Sequence, residues 1–177
     1  MSVTICHPND SIFNSHTCDL LTCPVNTRGV MGRGLALEFS RRFPAHCEVY
    51  RDACTSSLIT PGDILIVGLG EALDSAHRSP ASRPHIVFFA TKNDWRGRSE
   101  MDWVRRGMAQ LVKWLLDPTC PDHSIAIPAL GCGLGGLTWE GDNNIHNVGQ
   151  LITDAMSLLP HITTYIYPPH LKGESNG

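Results

Sequence analysis

The chain has 177 residues, 42% hydrophobic and 18% charged, enough apolar material for one buried core and too little length for a second domain of ordinary size. A formal net charge of −3 and a pI near 6.3 exclude the broad basic surface on which tight non-specific nucleic-acid binding depends, although a single modified nucleotide could still enter a pocket. There is no apolar run of ~18 residues and no charged-then-apolar leader, so a cytoplasmic protein without membrane contact is expected.

From the N-terminus, Val3 to Cys6 reads as a short strand, and the cluster Pro8-Asn-Asp-Ser11 that follows makes Asp10 either a turn-former or a pocket acid. Leu20 to Val25 is apolar enough for a central strand, with Pro24 near its end. Asn26 then stands at the carboxyl end of that strand, the side on which open α/β sheets bind ligands. Its carboxamide suits a sugar hydroxyl and equally suits capping a turn. Residues 29–34, Gly29-Val-Met-Gly-Arg-Gly34, open a helix whose Leu35, Phe39 and Phe43 recur at helical spacing until Pro44 stops it. Val49 and Ala53 continue a second short helix.

Ile64 to Leu69 and Ile86 to Ala90 are the clearest strands, joined across residues 70–85 by a polar hairpin connection. Lys92 follows the second of them, where it is either a solvated side chain or an amine available as nucleophile, base or phosphate partner. Ser99-Glu-Met-Asp102 looks like a capping box, and Met101, Val104, Met108, Leu111, Val112 and Leu115 form a core-facing helical stripe. Ser124 to Ile127 is a strand that empties into a second glycine loop, Ala129-Leu-Gly-Cys-Gly-Leu-Gly-Gly-Leu-Thr-Trp139. A helix bearing Ile145, Val148, Ile152, Ala155 and Leu159, a last strand at 162–167 and a polar tail at 171–177 complete the chain. Strands alternating with helices predict a three-layer α/β/α domain with a mixed central sheet over residues 1–170.

Two glycine loops, each following an apolar strand, leave peptide N–H groups uncovered and suit a ligand with adjacent phosphates. The first is neither a P-loop, lacking Gly-Lys-Ser/Thr, nor a full G-x-G-x-x-G fingerprint. Asn26, Lys92 and Trp139 are expected along the rest of the groove. The seven cysteines (Cys6, Cys18, Cys23, Cys47, Cys54, Cys120 and Cys132) show no C-x-x-C pair and read as buried hydrophobes; Cys132 alone lies in a loop where a neighbouring base would make it a nucleophile. The nine histidines are spaced singly, so no metal site is expected.

Three segments together resemble the macrodomains, modules that bind ADP-ribose: Val25-Asn-Thr-Arg-Gly-Val-Met-Gly-Arg-Gly-Leu-Ala36, Phe89-Ala-Thr-Lys-Asn-Asp-Trp-Arg96, and Ile127-Pro-Ala-Leu-Gly-Cys-Gly-Leu-Gly-Gly-Leu-Thr-Trp139. With Asn9-Asp10-Ser-Ile-Phe13, which is similar to the family's Gly-Asp-Ile motif, the likeness spans nearly the whole chain, and it points toward the DarG-type DNA ADP-ribosyl glycohydrolases and the terminal ADP-ribose protein glycohydrolases. The resemblance implies that Asp10 receives the adenine amino group and Asn26 the distal ribose. It implies that Gly29, Val30, Met31, Gly32 and Gly34 wrap that ribose and its phosphate, that Gly131, Cys132, Gly133, Leu134, Gly135, Gly136 and Leu137 hold the diphosphate, and that Lys92 is the catalytic group.

In the protein-directed members an aspartate partners the lysine where this chain has Gly135, a departure that moves the likeness toward the DNA-directed enzymes. The expectation is thus an ADP-ribosyl hydrolase acting on a modified nucleobase in DNA, working as a monomer and needing no cofactor. An ADP-ribose 1″-phosphate phosphatase and a reader that binds ADP-ribose without turnover are the alternatives.

Overall fold

The computed structural model describes residues 2–15, 17–69, 84–141 and 147–170. Its strands are β1 (Val3–Ile5), β2 (Leu20–Asn26), β3 (Ile64–Val67), β4 (His85–Lys92), β5 (Ser124–Pro128) and β6 (Thr163–Tyr167). They form one sheet in the order β1-β6-β5-β2-β4-β3, in which every neighbouring pair is parallel except β3 with β4. Five strands therefore end on the same rim of the sheet, and the connections leaving that rim build the site.

Side chains alternate between the faces of a strand, and here both faces are covered. Leu21, Cys23 and Val25 of β2 and Phe88 and Ala90 of β4 pack with Phe39, Cys47 and Tyr50 from α1 (Gly34–Arg42) and α2 (Pro44–Thr55). On the other face Leu20, Val87, Phe89, Ile125 and Ile127 meet Val104, Met108, Leu111 and Ile152 from α3 (Met101–Leu116) and α4 (Val148–Ser157). This is the expected three-layer α/β/α arrangement with a mixed sheet. Because the central strands are buried on both sides, they read in the sequence as unbroken apolar runs.

The central pair of strands is joined only at its base. β2 and β5 pair at Leu20 with Ile125 and at Leu21 with Ala126 and no further, so their carboxyl halves part. From those ends the chain leaves in opposite senses, β2 toward α1 on one face and β5 toward α4 on the other, which is the switch point where open α/β sheets bind ligands. Pro24 is tolerated inside a central strand because the ladder to β5 has already ended, leaving β4 as the neighbour at that level.

Pro44 ends the first helix by beginning the second, occupying the first turn of α2 with a single residue, Phe43, between the two. The antiparallel pairing of β3 with β4 fits a hairpin, while the expected connection itself lies largely at 70–83, outside the described residues. The tail at 171–177 and Ile145 are also outside them. The capping box expected at Ser99 does not form: α3 is preceded by Glu100 in an extended conformation with no side-chain cap. Ser99 is buried elsewhere, in the site.

Candidate functional site

The loop after β2 is shaped by the residue that begins it. Asn26 is buried; its Oδ1 accepts from the peptide N–H groups of Arg28 (2.9 Å) and Val30 (3.3 Å), and its Nδ2 donates to the Val30 carbonyl (2.7 Å). One carboxamide thus folds the next four residues onto itself, the turn-capping role the sequence allowed. Tyr50, buried and stacked on Phe88 at 4.8 Å, donates from its hydroxyl to the Asn26 carbonyl (2.6 Å) and fixes the end of the strand. Burial pushes that phenol's pKa up, so it stays a donor.

The loop's residues divide by direction. Met31 is 6% exposed and belongs to the core beneath α1, so among the expected ligand residues its side chain faces away from the groove. The Gly29 peptide faces Tyr50 and Cys54 and also points inward. Val30, Gly32 and Gly34 are exposed, and the N–H groups of Gly32, Arg33 and Gly34 meet no acceptor among the described residues. They open α1, so free donors and the positive end of a helix dipole coincide.

The second loop, 129–137, is a run of tight turns: Cys132 N–H donates to Ala129 O (3.2 Å), Gly136 N–H to Gly133 O (3.1 Å) and Leu137 N–H to Gly131 O (2.9 Å). Those turns use the donors on either side and leave three consecutive ones, on Gly133, Leu134 and Gly135, without an acceptor among the described residues. Successive free N–H groups in a curled backbone make an anion-binding nest. Gly131 and Gly136 take φ of +71° and +76°, left-handed values that side chains disfavour, and Gly135 is required for space. A Cβ at 135 would fall on Ser99 Oγ and on the Gly131 carbonyl. The absence of an aspartate there is therefore a matter of packing: as the loop is folded, no side chain fits.

Lys92 is the last residue of β4, and an irregularity sets its position. The β2–β4 ladder runs Val25 with Ala90 and then Asn26 with Lys92, so Thr91 is an extra residue that brings Lys92 level with Asn26. From there Nζ donates to the Leu134 carbonyl at 2.8 Å, spanning from β4 past the end of β2 to the loop that follows β5. The sequence suggested a lysine apart from the glycine loop; the structure joins them. Partial burial lowers the amine's pKa below the ordinary value of 10.5.

Ser99, read from the sequence as a helix cap, and Asn93, given no role there, complete the frame. The Ser99 N–H donates to the Gly135 carbonyl (3.0 Å), and its Oγ, buried under the loop, has no hydrogen-bond partner among the described residues. Asn93 ties the β4 rim to the first loop: Thr27 donates to its carbonyl from N–H (3.3 Å) and from Oγ1 (2.8 Å). Neither contact has a local signature, since the partners lie 36 and 66 positions apart.

The other expected residues fall as follows. Asp10 is exposed, and its carboxylate accepts the His7 N–H at 3.0 Å as a turn-former would; it also lines a cleft of about 480 Å³ with Cys6, His7, Ser15 and Tyr167 at the β1–β6 end of the rim. Trp139, expected along the groove, sets its indole against Gly149, where an added Cβ would stand 2.9 Å from the ring, and so anchors α4 to the loop. Leu137 packs its side chain beneath Gly131, while Leu134 stands 71% exposed on the rim. Cys132 is half-buried and burial pushes its thiol up to about 12, which removes it as a thiolate nucleophile.

The profile of the Macro domain family matches residues 23–145, a stretch that takes in both glycine loops and Lys92. The chain is a macrodomain. This macrodomain is 35% identical over 151 residues to a DNA ADP-ribosyl glycohydrolase of Mycobacterium tuberculosis, an alignment covering 85% of the chain and 38% of that relative. A Thermus aquaticus protein of the same name matches at 35% over 152 residues, again 85% of the chain and 38% of the relative. The chain thus spans less than half the length of these relatives. Among solved structures, the macrodomain of Mycobacterium tuberculosis DarG superposes with a TM-score of 0.77 at 32% identity, covering 94% of this chain and 98% of that one. Thermosipho africanus DarTG in complex with ADP-ribose superposes equally well, at 31% identity over 95% of this chain and 42% of the other. Among the described residues, no helix is long and apolar enough to cross a membrane.

Proposed function

We propose that this macrodomain is a hydrolase that removes ADP-ribose from a modified nucleobase in DNA. The reading rests chiefly on Lys92, which stands level with Asn26 at the switch point and reaches the carbonyl of Leu134, inside the run of peptide N–H groups at 133–135 that meet no acceptor among the described residues. In this reading the diphosphate lies in the nest at 133–135 and against the start of α1, and the adenine end lies toward Asp10 and its cleft. The distal ribose then meets the β2–β4 end of the rim, so its anomeric carbon is presented to Lys92. Holding both ends of the ligand at fixed points converts the attack into a positioned, effectively intramolecular event. Relatives that carry the name DNA ADP-ribosyl glycohydrolase support DNA as the acceptor.

The bond that breaks joins the anomeric carbon to the base. Water supplies the hydroxyl that ends on the ribose and the proton that ends on the base. Release of ADP-ribose from ADP-ribosylated DNA tests the activity, and Lys92→Ala should lower kcat by ~100-fold or more, well beyond the loss of ADP-ribose affinity that follows from freeing the Leu134 carbonyl. Full turnover by that variant would remove Lys92 from the chemistry. If the amine attacks the anomeric carbon as the free base, the nucleobase departs with the amine's proton and water then cleaves the new C–N bond to restore Lys92; kcat/KM in that case rises with pH to an inflection below 10.5, because burial has lowered the amine's pKa. A rate that falls on the alkaline side would assign Lys92 to charge stabilisation. Release of phosphate from ADP-ribose 1″-phosphate, with no ADP-ribose freed from DNA, would favour the phosphatase reading.

A further inference from the structure

Resting on the activity proposed above, we propose that residues 93–100, together with Arg28, form a docking surface for the single DNA strand that flanks the modified nucleotide. The sheet order arranges the rim as a line: the Asp10 cleft at β1 and β6, the two donor loops at β5 and β2, and Lys92 at β4. A ligand whose adenine lies at the first end delivers its acceptor at the other. From Lys92 the chain runs through 93–100, which is joined to the first loop through Asn93 and Thr27 and to the second through Ser99 and Gly135, so this segment borders the place where the acceptor is delivered.

The side chains there suit a nucleic-acid strand. Trp95 is 46% exposed and packs in neither core, and the Arg96 guanidinium sits 4.4 Å from its ring centroid. Arg28 faces the same segment through its pairing with Asp94 at 3.9 Å. Arg98 lies over the second glycine loop, where a Cβ at Gly136 would stand 3.1 Å from its Nη2. Residues 27–33 and 92–100 together hold Arg28, Arg33, Lys92, Arg96 and Arg98 against Asp94 and Glu100, a local positive excess in a chain of net charge −3. An exposed indole beside guanidinium groups offers a face for base stacking and donors for backbone phosphates, the pairing found in sequence-tolerant single-strand binding. Stacking on Trp95 requires an unpaired base, and so small a basic area gives a duplex little to grip.

The test compares two probes that differ only in the flanking strand: a short single-stranded oligodeoxynucleotide carrying one ADP-ribosylated base, and the corresponding ADP-ribosyl nucleoside. Binding is followed in the Lys92→Ala background. Adding Trp95→Ala and Arg96→Gln should weaken the oligonucleotide about tenfold and flatten its salt dependence, with the nucleoside conjugate held as before. Trp95→Phe, which keeps an aromatic face, should restore most of the affinity. Equal weakening of both probes, or of neither, would overturn the surface, as would an ADP-ribosylated RNA strand or peptide losing affinity by the same factor. Release of ADP-ribose by the unaltered protein is scored separately: selective weakening without any release would keep the surface and overturn the activity.

Discussion

The first glycine loop is held from within and the second from outside. At 27–33, three hydrogen bonds run from the side chain of Asn26 to residues no more than four positions away, and the supporting phenol of Tyr50 closes the strand end behind it. At 129–137 the turns are internal, but Lys92 grips the Leu134 carbonyl and Ser99 the Gly135 carbonyl, so two consecutive peptides are clamped by the end of β4 and the segment that follows it. Both loops hold peptide donors that meet no acceptor among the described residues. Their difference lies in what each is coupled to: the first reports on its own sequence, and the second on the placement of the proposed catalytic amine.

Breaking the external clamp should have the largest effect. Gly135→Asp drives a side chain into Ser99 and into a backbone carbonyl that cannot move aside without unfolding the turn. Thermal melting should show a loss of about 3 kcal/mol, roughly 6–12 °C, with ADP-ribose affinity in calorimetry falling at least tenfold. Normal folding and binding by this variant would show the loop to be softer than its packing implies. Removing the internal clamp comes next: Asn26→Ala should cost about 2 kcal/mol and Tyr50→Phe about 1 kcal/mol, each read from the denaturant midpoint at constant slope. If Asn26→Ala melts like the unaltered protein, the loop is held by something other than that carboxamide. The smallest change is expected at Gly133, where an added Cβ meets nothing within 4 Å. Gly133→Ala should stay within about 0.5 kcal/mol in stability, so a loss of ADP-ribose affinity would locate the ligand against the nest and unchanged affinity would move it elsewhere.

Sequence and structure agree most closely where the information is local. The apolar runs of β2, β4 and β5, the helical stripe of α3 and the break at Pro44 were legible because strand and helix periodicity depend on neighbours a few residues apart. Asn26 was legible in part: its type and place at a strand end named the turn-capping task that the structure gives it, alongside a ribose contact that only a bound ligand can test. Ser99 misled, because Ser-x-x-Asp before a helix reads as a cap, whereas the serine is drawn under the second glycine loop by the peptide it binds and the space left by Gly135. Met31 and Trp139 belonged to readable motifs, yet their side chains are taken up by core packing, which a motif does not specify.

The sequence by itself thus determined the alternating elements, the two loops able to expose peptide donors, and the family resemblance that the Macro domain match bears out. These follow from residue type and short spacing. Tertiary structure alone decided that β2 and β5 part at their carboxyl ends, that the extra residue Thr91 sets Lys92 beside Asn26, and that Gly135 is empty because Ser99 fills its place. Each of these joins residues tens of positions apart through packing and ladder register, and local pattern carries no record of either.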